Sequence, residues 1–238
     1  MLFHKKQLMH SVDIVEPHPR FAQLLLEQFG GATGELTAAL QYWVQSFHCE
    51  NAGIRDMLQD IAIEEFSHLE VVGRLIEQHT KNVDQTDAFR STLFAVRGMG
   101  PHFLDSQGVA WTAAYINEGG DVVRDLRANI AAEAGARQTY EELIKMAPDK
   151  GTKDALVFLL TREISHTQMF MKGLESLGKL TDPFFGNIQP DQTVDLYFNL
   201  SQGGKEEAIS PTTSGKDERG PWNEEPTFKY IAQPLAER

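Results

Sequence analysis

Two copies of one pattern place metal-binding residue types at matched positions. Glu35 is followed 30 residues later by Glu65-Phe-Ser-His68, and Glu133 is followed 30 residues later by Glu163-Ile-Ser-His166. Tyr42 and Tyr140 each lie seven positions after the first Glu of their copy. The offset is 98 in every case: 35 to 133, 42 to 140, 65 to 163 and 68 to 166. Such an internal repeat with no register error is read before any other feature. Residues three, four and seven apart share one helix face, so Glu-x-x-His points a carboxylate and an imidazole the same way. Together the copies offer four carboxylates and two imidazoles, a donor set that accepts Mn or Fe. Four carboxylates also balance the charge of two divalent cations. A single Glu-x-x-His is commonly a solvated surface pair. Here the neighbours on the same faces are apolar: Met57, Ile61 and Val72 in one copy, Leu156, Leu159 and Phe170 in the other. A charge on an apolar face must be paired or metal-bound.

Helices must bring these residues together. A lone Glu meets a Glu-x-x-His some 30 residues away when the two helices fold back as a hairpin, and two facing hairpins close the set. The apolar pattern gives helices over about 20–48, 52–79, 119–146 and 152–177, with Thr152 as an N-cap of the last. On the third, Leu126, Ile130, Glu133, Arg137, Tyr140 and Ile144 share a face. Residues 80–119 then serve as the long crossover between hairpins, and Arg97 and His102 within it are candidates for a substrate approach or a subunit contact. The fold class is all-α: a ferritin-like four-helix bundle whose ligands are a Glu from each of two helices and Glu-x-x-His from the other two. Residues 1–19 form an extended arm, 20–178 the bundle, and 179–238 an extended tail. In the first helix Leu24, Leu25, Leu36, Leu40, Trp43, Val44 and Phe47 form the apolar stripe. Gly30, Gly31 and Gly34 interrupt it, each unfavourable by about 1 kcal/mol against Ala in a helix interior. They imply a close backbone approach or a local distortion beside Glu35, or else a break between two shorter helices. Glu64 and Glu70 fall off the ligand face and are expected to be exposed.

The rest of the chain limits the function. The net charge of -12 argues against non-specific nucleic-acid binding, which needs a basic patch. No apolar run is long enough to span a membrane or act as a signal peptide, and the single Cys49 forms no intrachain disulfide, so a cytoplasmic protein is expected. Asp56 and Asp60, one turn apart, are ordinarily a solvated pair or half of a Ca²⁺ site. The tail is broken by proline, and 202–220 reads as a flexible connector. It nevertheless carries Phe184, Phe185, Tyr197, Phe198, Trp222, Phe228 and Tyr230. Such a tail has no core of its own and is expected to lie on the bundle or on a neighbouring subunit of an oligomer.

These residues carry a resemblance. The ligand set with Leu25-Leu-Glu-Gln-Phe-Gly-Gly-Ala-Thr-Gly-Glu-Leu36, Glu64-Glu-Phe-Ser-His68, Asn129-Ile-Ala-Ala-Glu133 and Thr181-Asp-Pro-Phe-Phe-Gly186 resembles the manganese catalases, bacterial and cyanobacterial members in particular. The resemblance implies a homohexamer with two manganese ions per subunit and disproportionation of hydrogen peroxide, the pair cycling between Mn(II)₂ and Mn(III)₂. It implies Glu35, Glu65, His68, Glu133 and His166 as metal ligands. Glu163, which symmetry alone would make a sixth ligand, is implied as the carboxylate that moves protons, and Tyr42 as a tyrosine hydrogen-bonded behind the ligands. Where some members carry a channel-guarding Arg, this chain has Ala132. The Ca²⁺ site of some members matches Asp56, Asp60, Asn199, Ser201 and Gly203. Iron oxidation and storage of the ferritin type, a rubrerythrin-like peroxidase and a structural coat protein are the alternatives. The aromatic tail, the lack of a second Cys and the complete ligand set argue against them in turn.

Overall fold

A computed structural model describes residues 4–81, 83, 86–191 and 194, with the backbone of 197–198 and 228–229. The chain divides into two units, Met1–Phe185 and Gly186–Arg238. In the first, the helices are α1 (Pro19–Gly30), α2 (Glu35–His48), α3 (Ala52–Thr80), the short α4 (Asp87–Arg90) and α5 (Phe94–Arg97), α6 (Val122–Met146) and α7 (Lys150–Ser176). The paired α1–α2 packs on α3 and on α6, and α7 packs on α6 and on α3, which closes a four-membered ring. This is the expected bundle with one long crossover, 81–121. In the second unit, β1 (Tyr197–Phe198) and β2 (Phe228–Lys229) form a parallel pair with Tyr197 opposite Phe228. The expected docking of the tail rests on residues such as Trp222 and Tyr230, which lie outside the described residues. Among the described residues, no helix is long and apolar enough to cross a membrane.

Local chemistry sets each helix start. His18 accepts the Phe21 N–H at 3.1 Å and Pro19 occupies the first helical position, where its missing N–H matters least. Asn51, Asp121 and Asp149 cap α3, α6 and α7 by accepting from the backbone N–H three residues on. Asp149, rather than Thr152, is therefore the cap of α7. Thr152 is buried and donates to Asp149, and its hydroxyl lies 3.0 Å from His79 Nε2.

The first helix is the main departure from the sequence reading. It is two helices, with the break at residues 31–34. A Cβ on Gly34 would lie 2.6 Å from the Gln28 carbonyl oxygen, so the chain turns back on α1 there. A Cβ on Gly30 would lie 2.6 Å from the Leu104 carbonyl oxygen, so the crossover rests on the end of α1. The break resets the helical phase. The inward face of α2 becomes Gln41, Tyr42 and Gln45, and Phe47 is 67% exposed. On α6, likewise, Arg137 is exposed and pairs with Glu141, while Asn129, Ala136 and Leu143 share the buried face with Glu133 and Tyr140.

Two apolar layers fill the bundle. One holds Phe21, Leu25 and Leu26 of α1, Val72, Leu75 and Ile76 of α3, Leu143 of α6 and Leu156 and Leu159 of α7. The other holds Ala38 of α2, Leu58 and Ile61 of α3, Leu126 of α6 and Phe170 and Leu174 of α7. Between them, at the middle of α3, α6 and α7 and the start of α2, lies a polar layer. The crossover is tied to this body by Glu27, which accepts from the Ser106 N–H and hydroxyl, and by Trp111, whose indole N–H donates to Thr37 at 2.9 Å.

Candidate metal centre

The polar layer is built from the repeat. Glu35, Glu65, His68, Glu133, Glu163 and His166 are all at most 2% exposed. Glu65, His68, Glu163 and His166 each present one donor atom within 4.8 Å of the others, and they form the one candidate metal-binding group among the described residues. Glu35 joins through its Oε2, 3.5 Å from His68 Nδ1, and Glu133 through its Oε1, 3.8 Å from His166 Nδ1. The imidazoles are near-parallel, their centroids 5.5 Å apart.

The two copies are not used alike. Glu65 lies between both imidazoles, 2.9 Å from His68 Nδ1 and 2.7 Å from His166 Nδ1. Its counterpart Glu163 lies 3.4 Å from His68 Nδ1 and makes no ion-pair contact with His166. The tyrosines cross over. Tyr42 donates to Glu133 at 2.7 Å, and Tyr140 donates to Glu35, so each braces the carboxylate of the other copy. Tyr42, expected behind the ligands, is hydrogen-bonded to Glu133, and Tyr140 makes the mirror contact with Glu35.

The charges match a site built for cations. Burial, with the charge of Glu65 adding to it, pushes Glu35 up to about 8, although His68 opposes the shift. Burial and the charges of Glu65 and Glu35 push Glu163 up to about 8. Burial, with the charges of Glu163 and Glu65, raises Glu133 as well. Glu65 goes the other way: burial opposes its ionisation, but the charge of His68 and hydrogen bonds from both imidazoles outweigh it. Without metal, therefore, burial and mutual repulsion favour protons on Glu35, Glu133 and Glu163. Glu65 Oε1, Glu133 Oε2, Glu163 Oε1 and His166 Nδ1 find no well-aligned hydrogen bond although wholly buried. An unsatisfied buried group is unfavourable by about 1–3 kcal/mol. A divalent cation held by these oxygens and nitrogens removes that penalty, so the residues fit metal of the Mn or Fe type.

Two residues at the site escaped the sequence reading. Glu64 is half-buried rather than exposed, and it lies within 3.5 Å of the Nε2 atoms of both histidines. Arg162 Nε donates to it at 2.6 Å. The signal was present in the repeat, because Arg162 stands 98 residues after Glu64. Glu70 is also half-buried, 3.4 Å from His4. Asp56 and Asp60 lie one turn apart on an exposed face of α3, whereas Asn199, Ser201 and Gly203 lie outside the described residues. A cavity of about 240 Å³ opens beside the layer. Ala132, Glu133, Tyr42, Gln41, Thr37 and Asn117 are among its lining, and neither Arg97 nor His102 lines it.

Comparison with known proteins agrees. A solved structure of KatB, a manganese catalase from Anabaena PCC7120, is 78% identical, covers 98% of this chain and 100% of its own, and superposes with a TM-score of 0.88. A probable manganese catalase from Clostridium acetobutylicum is 36% identical over 86% of this chain and 92% of its own length. The bacterioferritin BfrA of Mycobacterium tuberculosis shares the fold at 19% identity and a TM-score of 0.51, over 70% of this chain and 91% of its own. The profile of the family described as manganese containing catalase matches residues 1–237, and the chain belongs to that family.

Proposed function

We propose that the chain disproportionates hydrogen peroxide, two molecules giving one O₂ and two H₂O, at two manganese ions held by Glu35, Glu65, His68, Glu133 and His166. The observation that carries this reading is the meeting of both Glu-x-x-His pairs in one buried layer. When bound, the ion pair would supply two electrons or accept two in one step, so that no radical need leave the site.

The chain's own residues do the rest. Glu65, within hydrogen-bond distance of both imidazoles, would hold metal together with His68 and His166. Glu163 is the proton carrier in this reading. It is buried in the layer with Oε1 free of a well-aligned hydrogen bond, so it can take a proton from one peroxide and return it to a leaving oxygen. Tyr42 and Tyr140 fix the orientation of Glu133 and Glu35 by hydrogen bonds. The cavity beside Glu133, with Ala132 on its wall, is the route for peroxide. The small side chain there leaves it wider than an Arg would.

The same reading makes the protein a cytoplasmic homohexamer. Exposed Phe47, Phe66, Met99 and Phe103 are the kind of surface that association covers. Ca²⁺ on the Asp56 and Asp60 face belongs to the same reading and is tested by calcium analysis of the purified oligomer. Oxygen release from purified protein given peroxide and no reductant tests the activity. One O₂ per two peroxides is the expected result. Peroxide loss without O₂ would point to a peroxidase or to iron oxidation instead.

A further inference from the structure

His68 and His166 turn Nδ1 toward the carboxylates of the layer and Nε2 away from it. Both Nε2 atoms are buried without a well-aligned hydrogen bond, and each has one carboxylate within ion-pair distance. That carboxylate is the same for both. Glu64 Oε1 lies 3.5 Å from His68 Nε2, and Glu64 Oε2 lies 3.3 Å from His166 Nε2. Arg162 donates to the same carboxylate through Nε at 2.6 Å.

The repeat explains why one carboxylate serves two rings. Glu64 precedes Glu65 and Arg162 precedes Glu163, so they are equivalent positions, 98 residues apart. Equivalent residues of the two hairpins meet here, as His68 and His166 do. Two Glu there would repel in a half-buried setting, and two Arg would leave the imidazole N–H groups without acceptors. One of each sign satisfies both demands. An imidazole that gives Nδ1 to a metal keeps its proton on Nε2, and the acceptor of that proton fixes the ring's tautomer and tilt.

We propose that Glu64 is the positioning residue for both metal-binding histidines, one oxygen to each Nε2–H, with Arg162 as its counter-ion. The inference rests on the reading of His68 and His166 as ligands. It is tested on the full chain by Mn(II) affinity, measured by chelator competition, and by the electron paramagnetic resonance spectrum of the bound Mn(II). Glu64→Ala should weaken Mn(II) binding about 10–100-fold, as loss of an imidazole's partner does elsewhere. Glu64→Gln keeps the size and one acceptor oxygen, so it should bind more tightly than Glu64→Ala, with an altered spectrum. The exchange Glu64→Arg with Arg162→Glu should recover most of the affinity that Glu64→Arg alone loses, because the two positions are equivalent in the repeat and face each other. Unchanged affinity and spectrum in both Glu64→Ala and Glu64→Gln would overturn the proposal, as would an exchange variant no better than Glu64→Arg. A wild-type chain that binds no Mn(II) would instead overturn the ligand reading, and this proposal with it.

Discussion

The two hairpins carry the same ligand types at the same spacing, yet they do different things with them. In the first, the helix that bears the lone Glu is broken, and Glu35 opens α2. In the second, α6 runs unbroken and Glu133 sits in its middle. Glu65 of the first stands between both imidazoles, while Glu163 of the second contacts one. The residue before each is Glu in one copy and Arg in the other. A repeat therefore supplies a symmetric set of donors, and small local departures give its two halves different contacts. A reaction that alternately removes and returns protons needs that asymmetry, because two identical carboxylates would compete for the same place on the metals.

The largest contrast to test is Glu65 against Glu163. Glu65→Ala should abolish metal retention, since it removes the carboxylate that contacts both imidazoles. Glu163→Gln should keep metal and lose turnover by about 10²–10⁴-fold, the usual contribution of a positioned proton carrier. Metal analysis and oxygen release on both variants decide the matter. If Glu163→Gln loses metal as Glu65→Ala does, the copies are equivalent and the division of roles fails.

Next in size is the response of the metal-free protein to pH. Glu35 and Glu163, normally near 4.5, are held up to about 8, and His166, normally near 6.5, up to about 9. Between pH 6.5 and 9 the folded state thus keeps protons that the unfolded chain releases, so stability falls as pH rises through this window. His79, lowered to about 4 mainly by burial, acts in the opposite sense but only below 6.5. Thermal unfolding of the metal-free protein should show a midpoint that drops from pH 6.5 to 9. Glu163→Gln should flatten the drop, and loading with Mn(II), whose charge replaces the protons, should remove most of it. A midpoint that holds or rises would mean that the carboxylates are ionised without metal.

The tyrosines give a smaller and more even effect. Tyr42 and Tyr140 each donate to a buried Glu of the opposite copy, so Tyr42→Phe and Tyr140→Phe should each destabilise by about 1–3 kcal/mol in denaturant unfolding. Both partners belong to one buried network, so the double variant should depart from the sum. A large loss in only one would show that the crossing is not reciprocal.

How much of this was legible depends on the scale at which a residue acts. The bundle and all six groups of the buried layer followed from spacing, because helix periodicity and a repeat of 98 leave few alternatives. The break at 31–34 was visible as an excess of glycine but not as a place. Part of the reason is remote: Gly30 meets Leu104, which arrives from the crossover some 70 residues later, whereas Gly31 and Gly34 are crowded by Glu27 and Gln28. The phase error at Phe47 and the wrong face for Arg137 come from treating each helix as ideal and uniformly amphipathic. In α2 the inward face is instead an amide network: Gln41 and Gln45 bond Asn129 at 2.9 Å, and Gln45 reaches the Asn117 carbonyl. Polar residues that satisfy one another across helices have no signature in a hydropathy pattern. Glu64 was misjudged for a related reason. Its helical position does point it off the ligand face, but the backs of the imidazoles are on that side.

The smallest test compares one position in the two copies. Gly34 and Ala132 are 98 residues apart, each just before the lone Glu. Gly34 has an extended backbone, and a Cβ there would meet the carbonyl oxygens of Gln28 and Glu27 at 2.6 and 2.8 Å. Backbone atoms cannot yield as a side chain does, so Gly34→Ala should force the turn open and destabilise by about 1–3 kcal/mol. It should also weaken Mn(II) binding, because Glu35 is the next residue. Ala132 lies within α6 and lines the cavity. Ala132→Gly should destabilise by only about 1 kcal/mol, the helix-interior difference between the two residues, and should leave Mn(II) affinity alone. Chemical denaturation and chelator competition on the pair separate the two cases. Equal effects would mean that the break is not what places Glu35. Unequal effects in the stated direction would tie the metal site of the first hairpin to its turn and that of the second to an uninterrupted helix.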